Sequence, residues 1–448
     1  MKEKVIIVGA GLVGSLWAIL LAKRGYQIDV YERRGDMRTA DFVGGRSINL
    51  AMSNRGWKAM EKAGIMKNIQ AVAIPMPGRM MHSLEGDLTF QPYGKDDEAI
   101  YSVSRGGLNI ELMNIADRFE NVTFHFHQKC MGVDLKNSII SFQNKEGQEI
   151  TKYADLIFGA DGAFSAVRSS FQKTPRFNYS QQYLEHGYKE LRIPPAANGN
   201  HLIEKGALHI WPRGQFMLIA LPNLDGSFTC TLFLPFEGKE SFNNLKSSEQ
   251  ILAFFNKYFP DTVPLIPNLV DDFNENPTGT LVTISCYPWQ SNHHTLLIGD
   301  ASHAIVPFYG QGMNSGFEDC TILDNLMDKH SENWDSILDE FNSTRHTDTD
   351  AIAELAFRNF IEMRDLVGDP KFLLRKKIEK HLNKKYPEVF LPLYSMVTFS
   401  HIPYDQALKE GQAQDQLFEK IMAIENIEDR WDSNEVETVF QQWLASKK

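Results

Sequence analysis

A glycine-rich turn between two apolar segments near the start of the chain restricts its fold more than any other feature. The turn, Gly9-Ala10-Gly11-Leu12-Val13-Gly14, lies inside a charge-free run from Val5 to Ala22. That run is long enough for a signal peptide or a membrane span. The glycine spacing, and the strand-like segment Gln27 to Glu32 that follows, favour a strand, a tight turn, a helix and a second strand.

The three glycines and the acidic end of the second strand suit one kind of ligand. Gly9 permits the tight turn, Gly11 lets backbone N–H groups approach a pyrophosphate, and Gly14 lets the helix pack closely on the sheet. The helix N-terminus attracts phosphate charge. The Glu32 carboxylate can accept hydrogen bonds from ribose hydroxyls. We therefore predict a dinucleotide-binding, Rossmann-like entry to a doubly wound sheet.

Two later strand ends carry an aspartate. Asp161 follows the apolar segment Leu156 to Gly159, where it can bind a cofactor or form a local turn, and the segment taken alone favours the turn. Asp300 follows Thr295 to Gly299 and is placed to bind a ribityl hydroxyl, ahead of a helix from about Ser315 whose N-terminus favours the charge of a reduced flavin. His303 is expected to be structural, because no serine elbow or metal-ligand spacing accompanies it.

The rest of the chain predicts a second sheet and a helical end. Short strand-like runs separated by turns lie between about 177 and 283: Ala207–Trp211, Phe216–Leu221 and Ser227–Phe233. They predict an antiparallel layer. After about Arg345 the pattern becomes helical, at Asp350–Leu366 and Lys371–Leu382.

Charge and cysteine content exclude several classes of function. There are 57 acidic and 46 basic residues, a net charge of -11, and no Lys/Arg run, so nucleic acid is not an expected partner. The four cysteines lie far apart without a CxxC pair or clustered histidines. We expect no metal and a reduced, cytoplasmic protein.

Taken together, the three motifs resemble the FAD-dependent aromatic hydroxylases related to p-hydroxybenzoate hydroxylase. Further segments are similar to the members that hydroxylate L-kynurenine: Gly45–Ala51, Gly78–His82, Gln91–Gly94, Ser102–Arg105, His209–Arg213, Val306–Asn314, Asn359–Met363 and Leu393–Ser400. The resemblance implies an α/β fold with three parts. These are a discontinuous FAD-binding domain (1–75, 100–176 and 284–345), a substrate-binding β-sheet domain (76–99 and 177–283) and a C-terminal helical region (346–448).

The resemblance also implies the reaction. FAD would be the bound cofactor, NADPH a transient co-substrate and O2 the oxidant, giving 3-hydroxy-L-kynurenine in tryptophan degradation and NAD biosynthesis. No protein nucleophile is needed, so no catalytic side chain is predicted. The C-terminus carries Glu, Asp and Gln where mitochondrial relatives have a hydrophobic anchor, so no membrane anchor is expected. A homodimer, a hydroxylase of another aromatic acid and a noncatalytic FAD-binding protein stay open.

Site residues follow from matching positions. The predicted cofactor contacts are Gly9, Gly11, Leu12, Val13, Gly14, Tyr31, Glu32, Arg33, Arg46, Ala51, Arg105, Cys130, Asp161, Ala166, Asp300, Gly312, Met313 and Asn314. The predicted substrate contacts are Arg79, Tyr93, Asn359 and Tyr394, with Phe308 and Tyr309 near the flavin and the substrate ring. Taken singly, each has a plain structural alternative as an ion-pair partner, a core aromatic or a helix cap. Jointly they suit an amino-acid carboxylate, which prefers guanidinium and phenol donors.

Overall fold

The computed structural model describes residues 2–39, 48–94, 98–366 and 369–447. The strands are β1 (Lys4–Val8), β2 (Gln27–Tyr31), β3 (Asn49–Met52), β4 (Ala73–Met76), β5 (Gly78–His82), β6 (Leu88–Pro92), β7 (Ile100–Ser104), β8 (Val122–His125), β9 (Lys129–Asp134), β10 (Ile139–Gln143), β11 (Glu149–Tyr153), β12 (Leu156–Gly159), β13 (Asn178–Ile193), β14 (Ala207–Pro212), β15 (Met217–Pro222), β16 (Phe228–Pro235), β17 (Gly279–Tyr287), β18 (Gln290–Ser291) and β19 (Thr295–Leu297).

The α-helices are α1 (Leu12–Lys23), α2 (Asn54–Ala63), α3 (Met66–Gln70), α4 (Arg105–Ala116), α5 (Ala166–Phe171), α6 (Ser248–Tyr258), α7 (Leu269–Glu275), α8 (Asp300–His303), α9 (Gly312–Lys329), α10 (Trp334–Ile361), α11 (Pro370–Lys385), α12 (Leu393–Thr398), α13 (Tyr404–Met422), α14 (Ile427–Arg430) and α15 (Asn434–Ser446). Short 3-10 helices lie at Phe242–Asn244, Val263–Leu265 and Pro307–Tyr309, and a π-helical turn at Glu362–Leu366 continues α10.

A six-stranded sheet places the predicted cofactor residues along one edge. Its order is β18-β19-β12-β1-β2-β8, and β1 pairs in parallel with both β2 and β12. The centre of β1 is buried, which its sequence KVIIV allows because a central parallel strand is covered on both faces. Since β1, β2, β12 and β19 run in parallel, their carboxyl ends meet where Gly9, Glu32, Asp161 and Asp300 follow them.

A seven-stranded sheet, in the order β17-β13-β16-β15-β14-β5-β6, carries the predicted substrate residues. It is antiparallel except where β5 and β14 pair in parallel, with Arg79 opposite Leu208. One face packs on α6 and α7 through an aromatic core that includes Phe255 and Phe273. The other face packs on the C-terminal helices through Phe308 and Met396. The predicted combination of a Rossmann-like sheet, a second sheet and C-terminal helices is confirmed.

Several boundaries differ from those expected. The helix expected from about Ser315 begins at Gly312, and the C-terminal helical stretch begins at Trp334, before Arg345. The side chain of Asn333 caps α10 by accepting a hydrogen bond from the Ser336 N–H. The division expected between residues 345 and 346 falls inside α10, and that between 283 and 284 falls inside β17. The division into domains itself stays a prediction.

A buried histidine pair fixes the strand that carries Arg79. His82, at the end of β5, lies with Nδ1 2.9 Å from Asp261 Oδ2 and Nε2 2.8 Å from Nδ1 of His209. His209 Nε2 donates to the Glu204 carbonyl at 2.7 Å, so its Nδ1 is free to accept from His82. Burial lowers the pKa of His209 to about 4. The cluster joins β5, β14 and the loop that contains Asp261.

This pair predicts a loss of stability in mild acid. Since burial depresses the His209 pKa below its unfolded value near 6.5, the neutral form stabilises the fold above about pH 6.5. That contribution is lost as pH falls toward 4. We expect His209 to account for about 2 kcal/mol of the stability lost between pH 7 and pH 5. Urea unfolding of the wild type and of His209→Gln at both pH values measures the difference. With His294→Gln as an exposed control, equal losses in wild type and His209→Gln would exclude this role.

Candidate active site

The turn between β1 and α1 has the geometry expected of a phosphate-binding turn. Gly9 has φ +103, and a Cβ there would lie 2.5 Å from the Ala160 carbonyl oxygen. A Cβ at Gly14 would lie 2.0 Å from the Gly9 carbonyl oxygen, so α1 approaches the turn too closely for any side chain. At Gly11 a Cβ would meet nothing within 4 Å. The backbone of Gly11, the N-cap of α1, is therefore open to a ligand.

The Glu32 carboxylate lies beside this turn and is only 8% exposed. One oxygen accepts from the Ala10 N–H at 3.1 Å, and the other from the backbone N–H and Nε of Arg34, both at 3.0 Å. Glu32 therefore ties β2 to the glycine turn. The neighbouring predicted contacts differ, because Arg33 is exposed and the Tyr31 ring is stacked between His125 and Phe142.

The strand end after β12 serves a helix in this structure. Asp161 accepts from the Ser165 hydroxyl at 2.6 Å and from the Ala166 and Val167 N–H groups at 2.6 and 3.2 Å. The carboxylate therefore caps α5, in agreement with the local turn that this segment favours when it is taken alone. Burial raises its pKa. Nearby Cys130 is buried, and burial raises the pKa of its thiol to about 12.

The strand end after β19 is different, because its carboxylate is free. Asp300 is partly exposed and is the first residue of α8. Its carboxylate makes no hydrogen bond or ion pair within the described part of the chain. Val13, the second residue of α1, packs beneath it, since a Cβ at Gly299 would lie 3.0 Å from Val13 Cγ2. The start of α1 and the strand end at Gly299 are therefore in contact, and the partly exposed Asp300 carboxylate lies next to them.

The start of α9 is held by the side chain of Asn314, which is fully buried. Its amide nitrogen donates to the Ala51 and Gly310 carbonyls at 2.9 and 2.7 Å, and its oxygen accepts from the Ser53 N–H at 2.9 Å. Any cofactor contact made by Asn314 would thus come from its backbone. Gly312 and Met313 complete this first turn, whose N–H groups lack helical acceptors.

The remaining predicted cofactor residues lie around these two turns or outside them. Leu12 is the first residue of α1, and Arg105 is exposed at the first position of α4. Arg46 lies outside the described residues.

The predicted substrate residues form a stack of aromatic rings beside one guanidinium. The Arg79 guanidinium carbon lies 5.3 Å from the ring centroid of Tyr93 and 4.7 Å from that of Tyr394. The two rings are 5.2 Å apart and nearly parallel, and Tyr309 stacks on Tyr394 at 5.5 Å. These side chains come from β5, the end of β6, the 3-10 turn and α12.

Two buried polar atoms in this stack, Arg79 Nε and the Tyr93 hydroxyl, have no hydrogen-bond partner among the residues that the structure describes. Arg79 makes no ion pair with any described residue. Although burial acts to lower its pKa, the nearby Tyr394, Tyr93 and Glu362 outweigh burial and raise it. Burial raises the pKa of Tyr93 and of Tyr309 well above the usual value. A cation and neutral phenols beside unused donors suit an anionic ligand.

Asn359 and Phe308 support the stack. The Asn359 amide, 5% exposed, donates to the Phe308 carbonyl at 2.7 Å and thereby joins α10 to the turn that precedes α9. The Phe308 ring stacks on Phe360 at 4.2 Å and contacts Phe233 at 4.8 Å. In this structure the Asn359 side chain positions Phe308, while its expected contact with substrate stays a prediction.

A buried ionic network behind the cofactor residues was not anticipated from the sequence. Asp319 on α9 accepts from the Gly299 N–H at 2.9 Å and from Arg345 Nε at 2.9 Å, and lies 2.6 Å from His303 Nε2. All three side chains are at most 5% exposed. His303 thus has the structural role expected of it. The sequence feature that could have revealed this network is the presence of charged residues on the face of α9 that is buried.

Neither a metal site nor a membrane-spanning helix is found among the described residues. No group of three or more His, Cys, Asp or Glu side chains within 2–39, 48–94, 98–366 and 369–447 could hold a metal ion. Over the same residues, no helix combines the length and the apolar character needed to span a membrane.

Comparison with known proteins gives consistent results. The FAD binding domain family model matches residues 2–204 and 266–356. Kynurenine 3-monooxygenase of Flavobacterium psychrophilum is 50% identical over 447 residues, 100% of this chain and 99% of the relative. The enzyme of that name from Sus scrofa is 46% identical over 92% of this chain and 87% of the relative.

Solved structures support the fold. The tetrameric form of 2-methyl-3-hydroxypyridine-5-carboxylic acid oxygenase superposes with TM-score 0.66 at 19% identity, covering 85% of this chain and 98% of that one. p-Nitrophenol 4-monooxygenase from Pseudomonas putida DLL-E4 gives TM-score 0.65 at 16% identity, covering 86% and 94%. The predicted FAD-binding hydroxylase fold is thus confirmed.

Proposed function

The chain belongs to the kynurenine 3-monooxygenase family of FAD-dependent hydroxylases, and we propose on that premise that it hydroxylates L-kynurenine to 3-hydroxy-L-kynurenine with NADPH and O2. The observation that carries the assignment of substrate is the pair of unpartnered buried donors, Arg79 Nε and the Tyr93 hydroxyl. An amino-acid carboxylate would satisfy both, because charge-assisted bonds to a carboxylate are the strongest that these groups form.

The residues at the sheet edge fit FAD. Gly11 leaves room for a pyrophosphate at the start of α1, Glu32 is beside the same turn, and Asp300 offers a free carboxylate. The first N–H groups of α9 lack helical acceptors, and a helix N-terminus stabilises negative charge. When bound, FAD supplies the redox chemistry that takes a hydride from NADPH and transfers one oxygen atom to the substrate.

The protein's own part in the reaction is to orient the substrate and exclude water. Arg79 and Tyr93 would bind the α-carboxylate and so fix the distance of the aromatic ring from the cofactor. Phe308 and Tyr309 would form the apolar wall next to that ring. The ring carbon ortho to the aniline nitrogen is electron-rich, so no side chain has to act as a base or nucleophile on it.

A panel of ligands tests this assignment. NADPH oxidation by the FAD-loaded enzyme is measured with L-kynurenine, with kynuramine, which lacks the carboxylate, and with p-hydroxybenzoate. We expect only L-kynurenine to stimulate the rate. Equal stimulation by p-hydroxybenzoate would indicate a hydroxylase of another aromatic acid, and no stimulation by any ligand would indicate a noncatalytic FAD-binding protein.

Two glycines of the βα turn give a matched pair of variants. Gly11→Ala adds a methyl group to open space at an ordinary backbone conformation, so the free energy of unfolding should change by less than about 0.5 kcal/mol. We expect FAD affinity to fall about tenfold or more, because the methyl group separates backbone N–H donors from the pyrophosphate. Gly14→Ala should instead destabilise the protein, since its Cβ would lie 2.0 Å from the Gly9 carbonyl oxygen. Equilibrium unfolding and FAD titration separate the two, and a Gly11→Ala protein with unchanged FAD affinity would place the pyrophosphate elsewhere.

We also propose a cytoplasmic homodimer. All four cysteines are free and buried, as in proteins of reducing compartments.

β6 is the last strand of its sheet and exposes Leu88 and Phe90 by 60% and 45%, and such an edge can pair with a second copy of the chain. Light scattering of the purified enzyme measures the assembly.

A further inference from the structure

The segment that carries Tyr394 is anchored at a second place, close to the start of α9. Tyr404, the first residue of α13, is completely buried, and its hydroxyl donates to Gln311 Oε1 at 3.0 Å. Gln311 is 1% exposed and immediately precedes α9, where its carbonyl accepts the first helical hydrogen bond from the Ser315 N–H at 2.7 Å. One segment therefore contacts the rings beside Arg79 through Tyr394 and the N-cap residue of α9 through Tyr404.

Arg55 makes that segment a single unit. Its guanidinium, 1% exposed, donates to the carbonyls of Val397, in α12, and Ile402, just before α13. It also lies 3.8 Å from the centroid of the Tyr404 ring. With both carbonyls held by one cation, the backbone from Tyr394 to Tyr404 is expected to shift as one piece.

Arg55 and the two carbonyls that it binds, called the Arg55 clamp below, are linked to the ionic network formed by Asp319, His303 and Arg345. Arg55 pairs with Glu318 on α9, and the other oxygen of Glu318 lies 2.8 Å from Arg345 Nη1. Arg345 also pairs with Asp319 at 2.9 Å, which holds the Gly299 N–H. Binding of substrate alone does not require these contacts, because none of them touches the Arg79 stack.

We propose that Tyr404 is a positioning residue that transmits occupancy of the substrate stack to the N-terminus of α9. The proposal rests on the proposed function above. Substrate carboxylate at Arg79 orders the adjacent Tyr394 ring. Through the Arg55 clamp the Tyr404 hydroxyl then fixes Gln311 and with it the first turn of α9. The first turn adopts the arrangement that favours flavin reduction only when the substrate is present.

Tyr404→Phe isolates this link, because it removes one hydroxyl and keeps the ring against Arg55. Anaerobic flavin reduction by NADPH is followed with and without saturating L-kynurenine in the FAD-bound enzyme. We expect the kynurenine-stimulated rate to fall about tenfold, the change equivalent to about 1.4 kcal/mol or one hydrogen bond. The unstimulated rate, FAD content and kynurenine affinity should stay within about threefold. Amide hydrogen exchange at residues 312–318 should become faster, a readout that does not depend on turnover.

Tyr153→Phe is the matched control, because the Tyr153 side chain is exposed and its hydroxyl donates to Asp155, its one hydrogen-bond partner among the described residues. Full stimulation in Tyr404→Phe would overturn the proposal, whereas an unstimulated wild type would refute the proposed function itself. If Tyr404→Phe does not fold, Arg55→Lys serves instead, since lysine keeps the charge beside Glu318 but cannot hold both carbonyls. Lost stimulation with retained kynurenine affinity in that variant supports the link, and unchanged stimulation overturns it.

Discussion

Replacing Arg79 with alanine is expected to weaken L-kynurenine binding by about 10- to 150-fold while FAD stays bound. The substitution removes a cation that lies beside two stacked tyrosine rings, together with an unpartnered Nε. A hydrogen bond to a charged group contributes about 1.5–3 kcal/mol, and about 1.4 kcal/mol corresponds to a tenfold change in affinity. Titration of the FAD-bound enzyme, followed by the flavin absorbance, measures the dissociation constant.

The same variant should also release more H2O2, because a ring misplaced by about 1 Å reacts far more slowly. Arg79→Lys keeps the charge without the planar fork and should be intermediate. Arg192→Ala, which removes an exposed pair with Asp225, controls for loss of a positive charge. Unchanged affinity and coupling in a folded, yellow Arg79→Ala enzyme would show that the arginine has only a structural role.

Asp319→Ala is expected to lower the free energy of unfolding by about 3–5 kcal/mol, because Arg345 would keep its charge in the interior with one partner fewer. Both side chains are 0% exposed. Although burial acts to raise the Asp319 pKa, His303 and Arg345 outweigh burial and hold it below the usual value. Denaturant unfolding measures the loss. FAD affinity should fall as well, since the Gly299 N–H next to Asp300 loses its acceptor.

Glu354→Ala is a suitable comparison, because Glu354 pairs with Arg358 on the surface of α10, the helix that carries Arg345. Such an exposed pair contributes about 0.5 kcal/mol or less. If Asp319→Ala and Glu354→Ala destabilise the protein equally, the buried network of Asp319 and Arg345 does not stabilise the fold around Gly299.

The βαβ entry and the strand-end residues could be predicted from sequence, because glycine spacing and acidic residues at strand ends are local patterns. The long strand β13 could not, since its sequence NYSQQYLEHGYKELRI is largely polar and much of it is exposed. Pairing with β16 and β17 forms this strand, and those partners lie far along the chain. Tertiary contacts thus override local preference there.

The candidate site was predictable in part. Resemblance to known enzymes indicated Arg79, Tyr93 and Tyr394, which the fold brings into one stack although no local pattern links them. Sequence did not show that the side chains of Asp161 and Asn314 are occupied by protein N–H and carbonyl groups. Whether a residue contacts a ligand with its side chain or its backbone depends on geometry that residue type does not specify.

Buried ion pairs are the least predictable part, because they follow no periodicity. Asp319 precedes the buried Cys320 on α9, and its partner Arg345 is on the next helix. Charged residues are mostly exposed, so two in the interior must pair, but sequence does not say with which partner.

The most direct test of the account is the fate of oxygen during turnover. The FAD-bound enzyme is given NADPH and 18O2 with and without L-kynurenine, and NADPH consumption, H2O2 and product mass are measured together. We predict that L-kynurenine accelerates NADPH consumption and that the product gains one 18O atom for each NADPH consumed. NADPH consumption at the same rate without L-kynurenine, with H2O2 as the only product, would contradict it.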